Sequence, residues 1–549
     1  MGMNLNKREI KYPALWDAAH IKLFKYDVDE MTIKTKNTPK WVHFGAGNIF
    51  KGFIAPLQDT LLENRKTDIG IIAVAPHDIE LIDKIYKPYD NLSLLVLMGS
   101  DRRLNKRVVG SIAESLVGDS LSKDWDRLMR IFEHPSLQMV SFTVTEKGYK
   151  LYSSAKEYNS DVKYDIENGP ERPKHLISRI TSLLYRRYKV GQLPIALVSM
   201  DNCSHNGDVL RDAVCTVASE WKNGGLIEDE FIDYLNNTGK VSFPWTMIDK
   251  IIPRPSQSVK IALESIGFKS TEIYCTHKNT YIAPFVNGET VQYLVIEDNF
   301  PNGRMPLEAA GVLFTDRNTV DRVEKMKVCT CLNPLHTALA IFGCLLGYKT
   351  IAYAIKDIKL KRLIEHIGYN EGMPVVKDPG VINPLDFISE VINERLANPN
   401  IPDTPQRIAT DTSQKIPIRY GETIKAYCNN DNLDINKLIY IPMTIAGWCR
   451  YLIALDDNGE PMDLSPDPML EVLTSYLQGI ELGMPETLGD KLKPILSNEN
   501  IFGKDLYSIG LGERIEGYVK EMLMGKNAVR QMLDKYLSNY SEQVKQDIK

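Results

Sequence analysis

Lys327, Asn333 and His336 stand in the run Lys327-Val328-Cys329-Thr330-Cys331-Leu332-Asn333-Pro334-Leu335-His336. These side-chain types suit proton handling at an alcohol. A lysine whose ammonium is destabilised by burial serves as a general base. An asparagine donates to a developing alkoxide without bringing charge. Together they suit alcohol oxidation without a metal. Each residue also has a plainer role. Lys327 suits a surface, and Asn333 ahead of Pro334 suits a helix N-cap. His336 falls three residues on, close to the helix face of Asn333.

A second pattern near the N-terminus gives this run its weight. Trp41-Val42-His43-Phe44 reads as a short buried strand and leads into Gly45-Ala46-Gly47-Asn48-Ile49. Residues 53–62 carry helical apolar spacing, and 69–75 form the next apolar run, ended by Pro76. Strand, turn, helix and strand begin a βαβ unit. The glycines permit a tight turn and let a pyrophosphate approach N–H groups at the helix start. The third glycine of the dinucleotide pattern is replaced by Phe50, which keeps an ordinary βα turn as the alternative. The second strand ends in Pro76-His77-Asp78, so Asp78 is the nearest acid for an adenosine ribose. NAD is the expected cofactor, with NADP kept open.

The elements around these residues alternate. Residues 139–144 and 195–200 read as strands, and 175–188 as an amphipathic helix. Glu146 and Asn202 fall just past strand ends, where ligands gather in parallel sheets. Asn202 has the alternative of an Asx-turn. The polar segment 297–304 marks a domain boundary at 295–305, and helical patterns follow over 333–348, 351–368, 384–396, 403–416, 438–455 and 513–537. The expectation is an α/β chain: a Rossmann-type parallel-sheet domain at 1–300 and a mostly α-helical substrate domain at 301–549. Arg407 and Lys415 lie eight residues apart in a helix-to-loop segment. Such cations suit hydroxyls or a carboxylate, or a solvated face.

Composition narrows the class. The 549 residues are 43% apolar and 25% charged, with a formal net charge of −5, ordinary for a globular protein. The acidic balance argues against nucleic acid. The eight cysteines include no Cys-x2-Cys pair. Cys329 and Cys331 would share a face of a strand, as small buried hydrophobes, with a redox or metal pair as the alternative. Charges interrupt every apolar run near the N-terminus, and the apolar stretch 337–348 is short for a bilayer. These features predict a cytoplasmic protein with no membrane partner, no metal site and an oligomeric state that the sequence leaves open.

The motifs, in order, resemble the polyol-specific long-chain dehydrogenases, the mannitol dehydrogenase family. They include His43-Phe44-Gly45-Ala46-Gly47-Asn48, Thr143-Val144-Thr145-Glu146-Lys147-Gly148-Tyr149 and Asp201-Asn202 with Asn206-Gly207. Met247-Ile248-Asp249-Lys250-Ile251, Lys327-x5-Asn333-x2-His336 and Asp411-x-Ser413-Gln414-Lys415 continue the series, which ends in Gly447-Trp448-x-Arg450-Tyr451. The resemblance runs from about residue 40 to 540.

It implies a metal-independent, NAD-linked exchange between alcohol and ketone on a linear sugar derivative. It makes Lys327 the general base, and Asn202 with Asn333 the pair that polarises the reacting oxygen. His336 becomes a substrate contact and Glu324 a proton relay. Arg407, Lys415 and Asp249 become substrate-side residues. The cofactor falls to Gly45, Ala46, Gly47, Asn48, Ile49 and Glu146. The chain departs from the family at Ile49-Phe50-Lys51 and at Pro334. The spread of motifs is most similar to the hexuronate-reducing members, so interconversion of D-fructuronate and D-mannonate is the expected reaction. A carboxylate would then need a cation, with Arg407, Arg419 and Arg254 as candidates. Oxidation of mannitol to fructose, tagaturonate reduction and a non-catalytic nucleotide sensor are the alternatives.

Overall fold

The computed structural model describes residues 2–101, 103–153 and 156–538, with backbone alone at Glu146. The chain forms two compact units, Met1–Asp321 and Arg322–Lys549.

Six strands of the first unit form one parallel sheet: β1 (Trp41–Phe44), β2 (Ile71–Ala75), β3 (Ile112–Val117), β4 (Met139–Phe142), β5 (Ile195–Ser199) and β6 (Val241–Ser242). Their order is β3-β2-β1-β4-β5-β6, every neighbouring pair parallel. This is the doubly wound order, and it reverses between β1 and β4.

The strands are short apolar runs, and β1, β2, β4 and β5 are buried throughout. Alternation sends their side chains to two separate cores. Val42, Phe44, Ile72, Val74 and Phe142 pack on one face. Trp41, Ile71, Ala73, Met139 and Val198 pack on the other. Burial on both faces is what a parallel sheet requires. Phe44 stacks on Phe142 with ring centroids 5.6 Å apart, and Phe142→Ala should cost about 3–5 kcal/mol.

The crossovers are helical. A π-helical turn, Phe50–Ile54, leads into α1 (Ala55–Glu63). Then come α2 (Trp125–Glu133), α3 (Leu176–Lys189) and α4 (Asn206–Asn223). A second sheet pairs Phe285–Glu289 in parallel with Ser93–Met98. That pairing joins segments far apart in the chain, which local periodicity does not reveal.

The second unit is helical, as expected. Helix α5 (Arg317–Lys325) straddles the division between the units and runs into a π-helical turn, Met326–Cys331, then into α6 (Asn333–Leu345). Eleven of the thirteen residues of α6 are buried, the pattern of a central core helix. It packs against α7 (Pro405–Ala409) and α9 (Tyr440–Tyr451), with α8 (Thr412–Ile416) between them in sequence. Two further helices, α10 (Gly512–Met522) and α11 (Ala528–Leu537), pack on each other.

Several expected helices are interrupted. The helix expected over 403–416 breaks at Asp411, whose φ is +53°. The one over 513–537 breaks at Gly525 (φ +142°) and Asn527 (φ +62°). Positive φ does not continue a right-handed helix, and Gly, Asn and Asp accept it most readily. The helix over 351–368 divides into Ile351–Ala354 and Ile358–Glu365, the latter capped by Asp357 through the N–H of Lys359.

Cys329 and Cys331 sit in the π-helical turn instead of a strand, and burial pushes the Cys331 thiol up to about 11. Residues 337–345 of that apolar stretch belong to a helical run, Arg317–Leu345, of 29 residues, long and apolar enough to cross a membrane. However, 78% of its most apolar window is buried inside the protein, as in a core helix. The tail at 539–549, expected to fray, lies outside the described residues.

Candidate active site

Strands β2, β1, β4 and β5 are adjacent and parallel, so the loops after them share one edge of the sheet. Gly45 turns the chain out of β1 with φ +113°, and a Cβ there would lie 2.5 Å from the carbonyl oxygen of Thr143. Neighbours hold the turn. The N–H of Gly45 donates to Val74 O (3.0 Å), and that of Gly47 donates to Gly45 O (2.8 Å). Tyr86 donates its hydroxyl to Ala46 O at 2.7 Å, and Thr143 Oγ1 to Gly45 O at 3.0 Å.

His43 stands behind this turn. Its ring lies 2.7 Å from Ser141 Oγ and 2.8 Å from Thr143 Oγ1, and stacks on Phe50. Burial lowers its pKa to about 3 and keeps it neutral.

The same turn has room for a ligand. A Cβ on Gly47 would meet nothing within 4 Å. Asn48 and Ile49 open the helix, and first-turn N–H groups have no acceptor within their helix. Asn48 Nδ2 donates to Tyr281 O at 3.1 Å, while its Oδ1 is buried with no hydrogen-bond partner among the described residues. Asp78 Oδ2 accepts from Thr276 Oγ1 at 2.6 Å, and its buried Oδ1 likewise lacks a partner. An open glycine, a helix start and an orphaned acid past β2 fit a dinucleotide. Glu146 opens the 3-10 turn Glu146–Gly148 past β4, and its side chain lies outside the described residues.

Past β5, Asp201 makes the turn that the sequence left open to Asn202. Asp201 Oδ1 accepts from the Cys203 N–H at 2.9 Å, and Oδ2 from Tyr149 (2.5 Å) and Ser199 (2.6 Å). Asn202 is exposed. Helix α4 has His205 as its N-cap, without a side-chain cap bond. Asn206 is fully buried and ties this loop to the strand Thr246–Asp249. It gives Thr246 Oγ1 a hydrogen bond at 2.9 Å and takes one from the Thr246 N–H at 3.0 Å. That strand ends in Asp249, which is buried. Arg254 lies over the Tyr281 ring at 5.1 Å.

In the second unit, Glu324 occupies α5 three residues before Lys327. Lys327 is 8% exposed within the π-helical turn. The Leu332 N–H donates to Lys327 O at 3.1 Å, five residues back, which sets the wide turn. Leu332 is the N-cap of α6 and Asn333 its first residue, so Asn333 does not cap. Nor does any other described residue hydrogen-bond its amide.

His336 follows on α6. Its Nε2 is buried without a hydrogen bond and lies 3.7 Å from Asp403 Oδ2. Burial, then the charges of Arg419, Arg407, Arg395 and Lys415, lower its pKa to about 3. Arg407 pairs with Asp403 Oδ1. Lys415 Nζ donates to Ile408 O (3.3 Å) and Thr410 O (2.5 Å). Burial, then Arg419, holds its ammonium below the usual lysine range. Arg419 Nη1 donates to Thr337 Oγ1 at 2.5 Å, and burial pushes the guanidinium down to about 10. A neutral histidine among cations suits an anionic ligand. Among the described residues, no group of three His, Cys, Asp or Glu is placed to hold a metal.

Two family models cover most of the chain. The mannitol dehydrogenase Rossmann domain matches residues 39–309, and the mannitol dehydrogenase C-terminal domain matches residues 319–523. The chain belongs to the mannitol dehydrogenase family. It is therefore an oxidoreductase. It is 54% identical to the D-mannonate oxidoreductase of Thermotoga maritima over 534 residues, 97% of this chain and 98% of that one. It is 28% identical to the D-mannonate oxidoreductase of Escherichia coli, over 85% of this chain and 89% of that one. Mannitol 2-dehydrogenase of Pseudomonas fluorescens, solved as a ternary complex with NAD and D-mannitol, superposes with a TM-score of 0.69 at 25% identity. The match covers 98% of this chain and 100% of that one.

Within this family frame, the structure places the expected residues in two sets. Gly45 to Ile49, Glu146, Asn202 and Asp249 belong to the first unit. Glu324, Lys327, Asn333, His336, Arg407 and Lys415 belong to the second. His43, Tyr149 and Asp201 stand in the sequence motifs without a role assigned to them, and Asp403 was not singled out. Buried polar positions carry no local periodic signal, and only their partners reveal them.

Proposed function

We propose that this protein interconverts D-fructuronate and D-mannonate with NAD as redox partner. The 54% identity to a D-mannonate oxidoreductase over nearly the whole chain carries this reading. The cations around His336 support it, because a sugar acid brings a carboxylate that a polyol lacks.

NAD, when bound, supplies the hydride acceptor in oxidation and NADH the donor in reduction. Gly45, Ala46, Gly47, Asn48 and Ile49 would hold its pyrophosphate, with Asp78 suited to the adenosine ribose; Glu146 is a further candidate contact. Lys327 accepts the hydroxyl proton as the C–H hydrogen leaves with its electron pair. In reduction the ammonium of Lys327 returns that proton to the alkoxide. Asn202 and Asn333 donate to the oxygen as negative charge develops on it. Glu324, one turn before Lys327, passes the proton to solvent. His336 is neutral and so can both donate to and accept from a substrate hydroxyl. Arg407, Lys415 and Asp249 contact the remaining hydroxyls.

The test is NADH oxidation followed by absorbance, with D-fructuronate, D-tagaturonate and D-fructose in parallel and NADPH as a second cofactor. Fast turnover on D-fructuronate is expected. Turnover on D-fructose alone would replace this reading with a mannitol 2-dehydrogenase, and silence with every pair would favour a nucleotide sensor.

A further inference from the structure

Buried and half-buried arginines of this protein differ in how fully their five N–H groups are used. Arg187 is saturated: it donates to the carbonyls of Leu193, Phe132, His134, Leu137 and Pro194 at 2.7–3.1 Å. Arg450 spends all three nitrogens on the carbonyls of Met522, Leu455 and Asp456. Arg179 uses the carbonyls of Pro173, Pro76 and Gly118 and faces Asp119 at 3.4 Å. These three are structural clamps. Arg419 is not. Its single hydrogen bond goes from Nη1 to Thr337 Oγ1, and among the described residues no carboxylate lies within ion-pairing distance of it.

Arg419 is half-buried and, among the described residues, its Nε and Nη2 find no acceptor, so they are left for a ligand that supplies the anion. Nε and Nη2 of Arg419 form the free side of the fork, and a carboxylate matches that side with two parallel hydrogen bonds. The location is right for a substrate group. Arg419 lies in the π-helical turn Pro417–Gly421, which packs against the turn that carries Lys327. Its one partner, Thr337, directly follows His336.

The other candidate cations have partners, Arg395 among them. Arg407 has 61% of its side chain exposed and pairs with Asp403. Lys415 is held by two carbonyls. Arg254 covers Tyr281.

The geometry points to Arg419 as the residue that binds the substrate carboxylate and so selects sugar acids over neutral polyols. This rests on the hexuronate reading above. Arg419→Gln keeps an N–H for Thr337 and removes the charged fork. D-mannonate affinity, measured by calorimetry without turnover, should fall about 10²-fold to 10³-fold, and KM for D-fructuronate should rise in step. Arg419→Lys should recover part of the loss. D-mannonamide, the neutral isostere, should bind the wild type about 10²-fold more weakly than D-mannonate.

If Arg419→Gln fails to fold, that wild-type comparison decides, and equal affinity for acid and amide overturns the assignment. Equal losses of acid and amide in Arg419→Gln, or no loss of either, overturn it as well. A wild type that reduces D-fructuronate while these results go the wrong way leaves the function standing without Arg419. A wild type that reduces no hexuronate removes both.

Discussion

His336 Nε2 and Asp403 Oδ2 face each other at 3.7 Å, too far for a hydrogen bond, while Arg407 holds the other oxygen of that carboxylate. The acid is thus spent on an arginine, and the imidazole stays neutral. Because burial and nearby cations hold the His336 pKa at about 3, it stays unprotonated from pH 5 upward. His336→Ala should lower kcat/KM about 10-fold to 10²-fold, chiefly through KM, by removing a hydrogen bond in a buried site. The wild-type kcat/KM profile should show no step near pH 6.5 that disappears in this variant; such a step would refute the neutral imidazole.

The two turn glycines separate folding from binding. Gly45→Ala meets Thr143 O and an unfavourable φ of +113°, so it should fold poorly. Gly47→Ala meets only open space, so its melting temperature should match the wild type. NADH affinity, read by fluorescence, should still fall about 10-fold or more as the methyl keeps the pyrophosphate from the helix start. Unchanged affinity would place the cofactor elsewhere.

Lys327→Ala should remove turnover by about 10²-fold to 10⁴-fold, the usual share of a general acid or base. NADH binding should stay intact, since Lys327 lies outside the glycine turn. A near-normal rate would end the assignment.

Asn333→Ala should cost about 10²-fold to 10³-fold in kcat, the loss seen when one oxyanion donor is removed. Helix α6 should be unaffected, because Asn333 is its first residue and not its cap. A melting temperature lowered by several degrees, with kcat retained, would show instead a helix-end role.

Acid should destabilise the first unit through His43. Its folded pKa of about 3 lies below the ordinary 6.5. Between those values the unfolded chain binds the extra proton, so stability rises with pH there. The contribution is complete above about pH 6.5 and declines as pH falls toward 3, by up to about 1.4 kcal/mol per pH unit. Chemical denaturation at pH 7 and pH 5 should show the loss, and His43→Gln should flatten it.

Much of the fold was legible where the information is local. Trp41–Phe44 read as a strand because four consecutive buried residues end at a glycine that must turn. Helix 175–188 read within a residue at each end, with His175 as its cap. The breaks at Asp411 and Asn527 were missed because apolar spacing continues across them. Only the backbone sign of φ marks where the helix stops. Asn202 and Asn333 each carried a structural alternative, as turn and as cap. Asp201 makes an Asx-turn and Leu332 is the N-cap of α6, distinctions of one residue that periodicity does not resolve.

The residues by themselves determined the family, the βαβ start with its glycine turn, and the set Lys327, Asn333 and His336. These are short-range patterns of side-chain type and spacing. Tertiary structure decided what each polar group has left to give. Placing β1 beside β4 opens the sheet edge at Gly47. Packing α6 in the core strips water from His336. Burying Arg187 among five carbonyls and Arg419 beside one hydroxyl makes one arginine a clamp and leaves the other an open cation. Hydrogen-bond capacity is a property of the residue, but its saturation depends on neighbours far away in the chain.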